Sequence, residues 1–227
     1  MKNIRLKNID KKIAVYAVSS IVTLMLSFSF LTTVFADNTM NLSTVISGAL
    51  NVAILDENFD EAVSPSSSLT GIDYDNANAQ TTTGILPGTT DLIGITNPTG
   101  SATWALTMAA TSGATSVWAS GGNNFDFNDP TASAADGADA DSAGGQLTVN
   151  PNAGAFSGGT GSASTDITKG SSTAFNEGVT DSVTILTAGS SAEAPGQWAF
   201  SGITLSQTVP AQQVPGTYTL GFTLTVS

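Results

Sequence analysis

Beyond residue 36, apolar and polar positions alternate with period two in short runs, and no stretch sustains a helical period. The clearest run is residues 217–226, where Tyr218, Leu220, Phe222, Leu224 and Val226 alternate with Thr217, Thr219, Gly221, Thr223 and Thr225. That spacing predicts a strand with one side against a core and a Thr-rich side toward solvent. Trp104, Leu106 and Met108 alternate in the same way with Thr103, Ala105 and Thr107. Further strands are predicted at Leu50, Val52 and Ile54, at Leu147 and Val149, at Val183 and Ile185, at Ile203 and Leu205, and over residues 91–96. At least seven short strands divided by Gly, Pro, Asn, Asp and Ser predict an all-β fold, an antiparallel β-sandwich of Ig-like or Greek-key type. Residues 119–145 and 153–178 are rich in Gly, Ser and Asp and are expected to be long surface loops.

The beginning of the chain has a different pattern. Residues 1–12 hold five of the six basic residues, residues 13–35 are an apolar run, and Val34-Phe35-Ala36 carries the small-x-small pattern that a signal peptidase reads. Residues 1–36 are expected to be an export signal and residues 37–227 a single domain with no further membrane span. The expected location is outside the cell. Cleavage after Ala36 would leave 191 residues, with Lys169 as the one basic side chain against seventeen carboxylates and a net charge of about −16.

Composition then excludes several chemistries. The chain has no His and no Cys, which removes an imidazole base, a thiolate nucleophile, a disulfide framework and the usual zinc or haem ligands. A net charge of −12 for the whole chain argues against nucleic acid or an anionic membrane surface as a partner. The 41% hydrophobic content is enough for a core.

Two segments resemble the paired motifs of WxL-type bacterial surface domains. Ile95-Thr96-Asn97-Pro98-Thr99-Gly100-Ser101-Ala102 leads into Trp104-Ala105-Leu106, as a turn leads into the first Trp-x-Leu strand of that family. Near the end of the sequence, Pro215-Gly216-Thr217-Tyr218-Thr219 precedes Phe222-Thr223-Leu224, with Phe where the family has Trp and a shorter spacing from the Tyr. Residues 45–54 are similar to the family's opening strand. The resemblance implies a divergent, secreted β-domain that attaches non-covalently to the cell wall, to its peptidoglycan, alongside other surface proteins. It also implies that Trp104, Leu106, Phe222 and Leu224 form the wall-binding motif. Ile85-Leu86-Pro87-Gly88-Thr89-Thr90 is only loosely similar to a sortase signal, which agrees with attachment of that kind.

Other side chains are weighed one by one. Trp104 and Trp198 alternate with apolar neighbours and are expected in the core, whereas Trp118, at the rim of a Gly-rich loop, is the candidate exposed ring for stacking on a sugar. Asp136, Asp139 and Asp141 offer oxygen ligands for Ca²⁺, as do the pairs Asp126 with Asp129 and Asp73 with Asp75, although none forms a D-x-[DN]-x-[DN]-G loop. Solvated surface charge is the simpler account of each. Asp56, Glu57, Asp60 and Glu61 could supply the two carboxylates of a glycosidase, but no motif fixes their separation, and a module without catalysis is expected. The alternative is a self-assembling surface-layer or filament subunit that pairs through its C-terminal strand.

Overall fold

The structure is a computed structural model that describes residues 48–130, 144–157 and 162–227. The expected export signal and Asp136, Asp139 and Asp141 lie outside these residues. The described chain is an all-β antiparallel sandwich. Its first sheet has the order β1 (Asn51–Leu55), β3 (Leu92–Asn97), β13 (Gly196–Ser201), β9 (Ala155–Ser157). A second has the order β2 (Gln80–Leu86), β14 (Ile203–Val209), β8 (Gly145–Asn150), β11 (Thr173–Ala174), with β7 (Asn128–Asp129) also on β8. A third runs β10 (Ile167–Lys169), β12 (Ser182–Ala188), β4 (Trp104–Ala110), β15 (Phe222–Val226), and β5 (Val117–Ser120) pairs with β6 (Asn123–Asp126) as a separate ribbon.

The first two sheets are a single sheet folded at a corner. β2 runs into β3, β13 into β14 and β8 into β9, and the three segments keep the same order on both sides of the bend. Strands that change sheets at a bend are the usual way to build such a corner. Gly202, at φ +78, makes the turn between β13 and β14, a conformation that side chains with a Cβ rarely adopt. Beside it, a Cβ on Gly154 would lie 2.6 Å from the Phe200 ring, so only glycine lets the two segments meet. The Lys169 ammonium donates to the carbonyls of Asn152 (3.1 Å) and Gly154 (2.8 Å), tying the edge strand β10 to the corner beside β9.

One core fills the space between the folded sheet and the third sheet, with Ile93, Leu106, Met108, Leu147, Ile185, Leu186, Phe200 and Ile203 fully buried. In β4 every second residue is buried, as the alternation predicts. β12 departs from strict alternation because its register against β4 shifts between Thr184 and Leu186. A bulge inserts one extra residue, so Ile185 and Leu186 both face inward.

Two expectations need correction here. Of the expected loop 119–145, residues 119–129 are not loop: they contain the end of β5, β6 and β7, and Phe125, Asp126, Phe127, Asn128 and Asp129 are buried. Likewise residues 153–178 contain β9, β10 and β11, and Phe175 is fully buried. Phe125, Phe127 and Phe175 anchor these Gly- and Ser-rich segments, and each offers a large apolar area that composition averages out.

Candidate functional site

The two strands that carry the WxL-like segments are neighbours. β15 pairs antiparallel with β4, with Phe222 opposite Ala110, Leu224 opposite Met108 and Val226 opposite Leu106. Opposite residues share a face, so the apolar side chains of both strands point toward the core. Trp104 is 3% exposed and Leu106 fully buried, while Phe222, Leu224 and Val226, on the outer strand, are half-buried. The opposite face carries Thr107, Thr223 and Thr225, and there the Thr111 and Thr223 hydroxyls meet at 3.1 Å.

Each motif aromatic has a definite partner set. Trp104 packs on Trp198 with ring centroids 5.3 Å apart, and the Trp198 indole N–H donates to the Ala163 carbonyl. The Trp104 indole N–H is buried with no hydrogen-bond partner among the described residues. Phe222 joins Phe127 (5.7 Å) and Phe175 (5.8 Å), which themselves meet edge-on at 5.0 Å. An aromatic at position 222 is therefore explained by packing against two rings that come from distant segments.

Trp118, expected to be an exposed ring, is instead half-buried. It stacks on Phe125 at 6.1 Å, and its N–H donates to Oε1 of the fully buried Gln207 at 2.9 Å. Gln207 Nε2 donates in turn to the carbonyls of Asp126 and Thr208. Phe125 also packs on Tyr218 at 5.1 Å, so the Gly-Thr-Tyr-Thr stretch lies across the β5–β6 ribbon. Ala119 and Thr219 exchange backbone hydrogen bonds there.

The acidic side chains fall into two environments. Asp126 and Asp129, expected at the surface, are buried, because β6 and β7 tuck against β8 and Gln207. Asp56 and Asp75 are partly exposed and cap turns. The backbone N–H groups of Asp60 and Asn58 hold the Asp56 carboxyl below the ordinary carboxylate range, and those of Ala77 and Asn78 do the same for Asp75. Asp56 is thus committed to a turn, which disfavours it as a proton donor. Among the described residues no group of three or more Asp or Glu side chains is arranged to hold a metal ion.

Sequence reading missed Gln207, Phe125, Phe127 and Phe175. Three of these left a signal. Phe125-Asp126-Phe127-Asn128 alternates with period two inside its Gly- and Asn-rich surroundings, and Gln207 continues the inward register of Ile203 and Leu205. Compared with family models, with curated proteins and with solved structures, the chain matches none of them. No described helix is long and apolar enough to cross a membrane.

Proposed function

We propose that this protein is an exported, non-catalytic β-sandwich module of the bacterial cell surface that associates non-covalently with wall peptidoglycan. The observation that supports this reading most is that the strands carrying Trp104-Ala105-Leu106 and Phe222-Thr223-Leu224, far apart in sequence, are antiparallel neighbours, with Phe222 opposite Ala110, Leu224 opposite Met108 and Val226 opposite Leu106. In this reading the motif residues act through the fold, since Trp104 and Leu106 are buried and offer no surface to a ligand. Co-sedimentation of the exported protein with isolated wall sacculi tests it. Saturable binding to sacculi stripped of anionic polymers is the expected result, and no binding to any wall preparation overturns it. A Ca²⁺ requirement would bring in Asp136, Asp139 and Asp141.

A second reading, a self-assembling surface subunit, is favoured by one particular observation: β15 is the outer strand of its sheet.

A further inference from the structure

The Ala105 and Ser227 backbones exchange two hydrogen bonds, at 2.8 and 3.0 Å, and Thr111 N–H donates to the Gly221 carbonyl. Hydrogen-bonded and non-bonded pairs alternate along an antiparallel ladder, so Thr223 and Thr225 also bond inward to β4. The N–H and C=O groups of Phe222, Leu224 and Val226 therefore point away from β4, and no described residue bonds to them. β1 passes beside β15 from the facing sheet, but no hydrogen bond joins the two strands.

Edge strands are normally blunted by charge, proline, a bulge or a covering segment. The edge of β2 is covered by Thr70, whose N–H donates to the Thr83 carbonyl, and that of β1 by Ala62, which donates to Ile54. Among the described residues, β15 has none of these protections. Residues 217–227 contain no charged residue and no proline, and the β15–β4 register is unbroken. Just upstream, the Ala119–Thr219 bridge and the Tyr218 hydroxyl, which donates to the Val214 carbonyl, hold the approach to the strand in place. The edge is presented preorganised, which lowers the entropic cost of pairing.

We propose that β15 pairs with β15 of a second copy, antiparallel across a two-fold axis through Leu224, which joins the two outer sheets into one. This rests on the self-assembly reading above and gives it a surface and a register. The strand is self-complementary about Leu224. Phe222 falls opposite Val226 of the second copy and Thr223 opposite its Thr225, so apolar meets apolar and hydroxyl meets hydroxyl. In that register the outward groups of Phe222, Leu224 and Val226 face the same groups of the second copy, and each donor finds an acceptor. The contact also contains no charged side chain in a chain of strongly negative net charge, where an Asp or Glu facing its own copy would oppose pairing.

The register can be tested directly because the chain has no cysteine. In the proposed dimer, positions 223 and 225 form a non-hydrogen-bonded pair, about 4.5 Å between Cα atoms, close enough to bridge by a disulfide. Exported protein from full-length expression is examined by sedimentation, then by mild oxidation of Thr223→Cys and Thr225→Cys variants. The expected result is a dimer that cross-links efficiently when the two variants are mixed and far less with either alone. The double variant Thr223→Glu/Thr225→Glu should lose the dimer while its melting temperature moves by no more than about 2 °C, since both side chains are exposed. An oligomer that survives both glutamates, or that cross-links equally in each single variant, overturns the two-fold pairing and leaves assembly through another surface. A monomer at every concentration overturns the pairing and the assembly reading together.

Discussion

At the residue scale, the aromatic side chains carry the consequences that are simplest to measure. Trp104→Ala should destabilise the protein by about 3–5 kcal/mol in urea unfolding, because it empties a site packed on Trp198. Trp104→Phe should cost much less, since it removes an indole N–H that has no partner among the described residues and keeps most of the apolar surface. Equal losses in the two variants would mean that the indole N–H is satisfied in solution. Phe222→Ala should cost about 2–3 kcal/mol, below the range for a fully buried ring because Phe222 is half-buried. Asp56 and Asp75 differ from these in kind. Their folded carboxyls are lowered by backbone N–H donors, so what they contribute is complete above the unfolded carboxylate range and lost as pH falls through the folded value. Carboxyl carbon shifts followed by NMR should show both titrating below ordinary aspartate, and an ordinary midpoint would mean that the turn bonds do not persist.

At the element scale, the corner and the β5–β6 ribbon are the features that strand counting does not anticipate. Lys169 is the cationic clamp of the corner, with one ammonium on two carbonyls. The Asn152 carbonyl is exposed and water can replace the ammonium there, while the carbonyl of buried Gly154 loses its donor, so Lys169→Met should cost about 1.5 kcal/mol of global stability. Amide exchange should instead rise locally around residues 151–155, where the bend is held. Exchange that rises uniformly across all sheets would mean that the corner opens only with global unfolding. The ribbon is tied to β14 by Gln207, whose side chain joins Trp118 to the Asp126 carbonyl from an inward position.

At the scale of the whole molecule, charge is the dominant departure from an ordinary domain. Eighteen carboxylates oppose six basic residues, and five of those six lie in residues 1–12. Self-repulsion of that size is relieved by screening, so the melting temperature should rise as salt increases from low ionic strength to about 0.15 M, where the Debye length is about 8 Å. A flat salt response would mean that bound cations already neutralise the acidic surface. Ca²⁺ that raises the melting temperature beyond NaCl of equal ionic strength would point to Asp136, Asp139 and Asp141. The two sides of the sandwich also differ. Lys169 pins β10 beside β9, whereas no hydrogen bond among the described residues joins β1 to β15, which leaves the β15 edge open for the pairing proposed above.

The sequence by itself determined the class of fold and most of its central strands. Period-two alternation at Trp104, Leu106 and Met108, or at Leu147 and Val149, is enforced by the geometry of a strand that is half in a core. It also marked Phe222 and Leu224 as inward positions on a strand. Only the tertiary structure decided which strands are neighbours, because pairing depends on chain reversals that leave no periodic trace. Tertiary structure alone put β15 on an edge, buried Asp126 beneath Gln207 and covered the Trp118 ring with Phe125. A carboxylate or an indole reads the same in a sequence whether solvent or another segment faces it, and what faces it is set by contacts across many residues of chain.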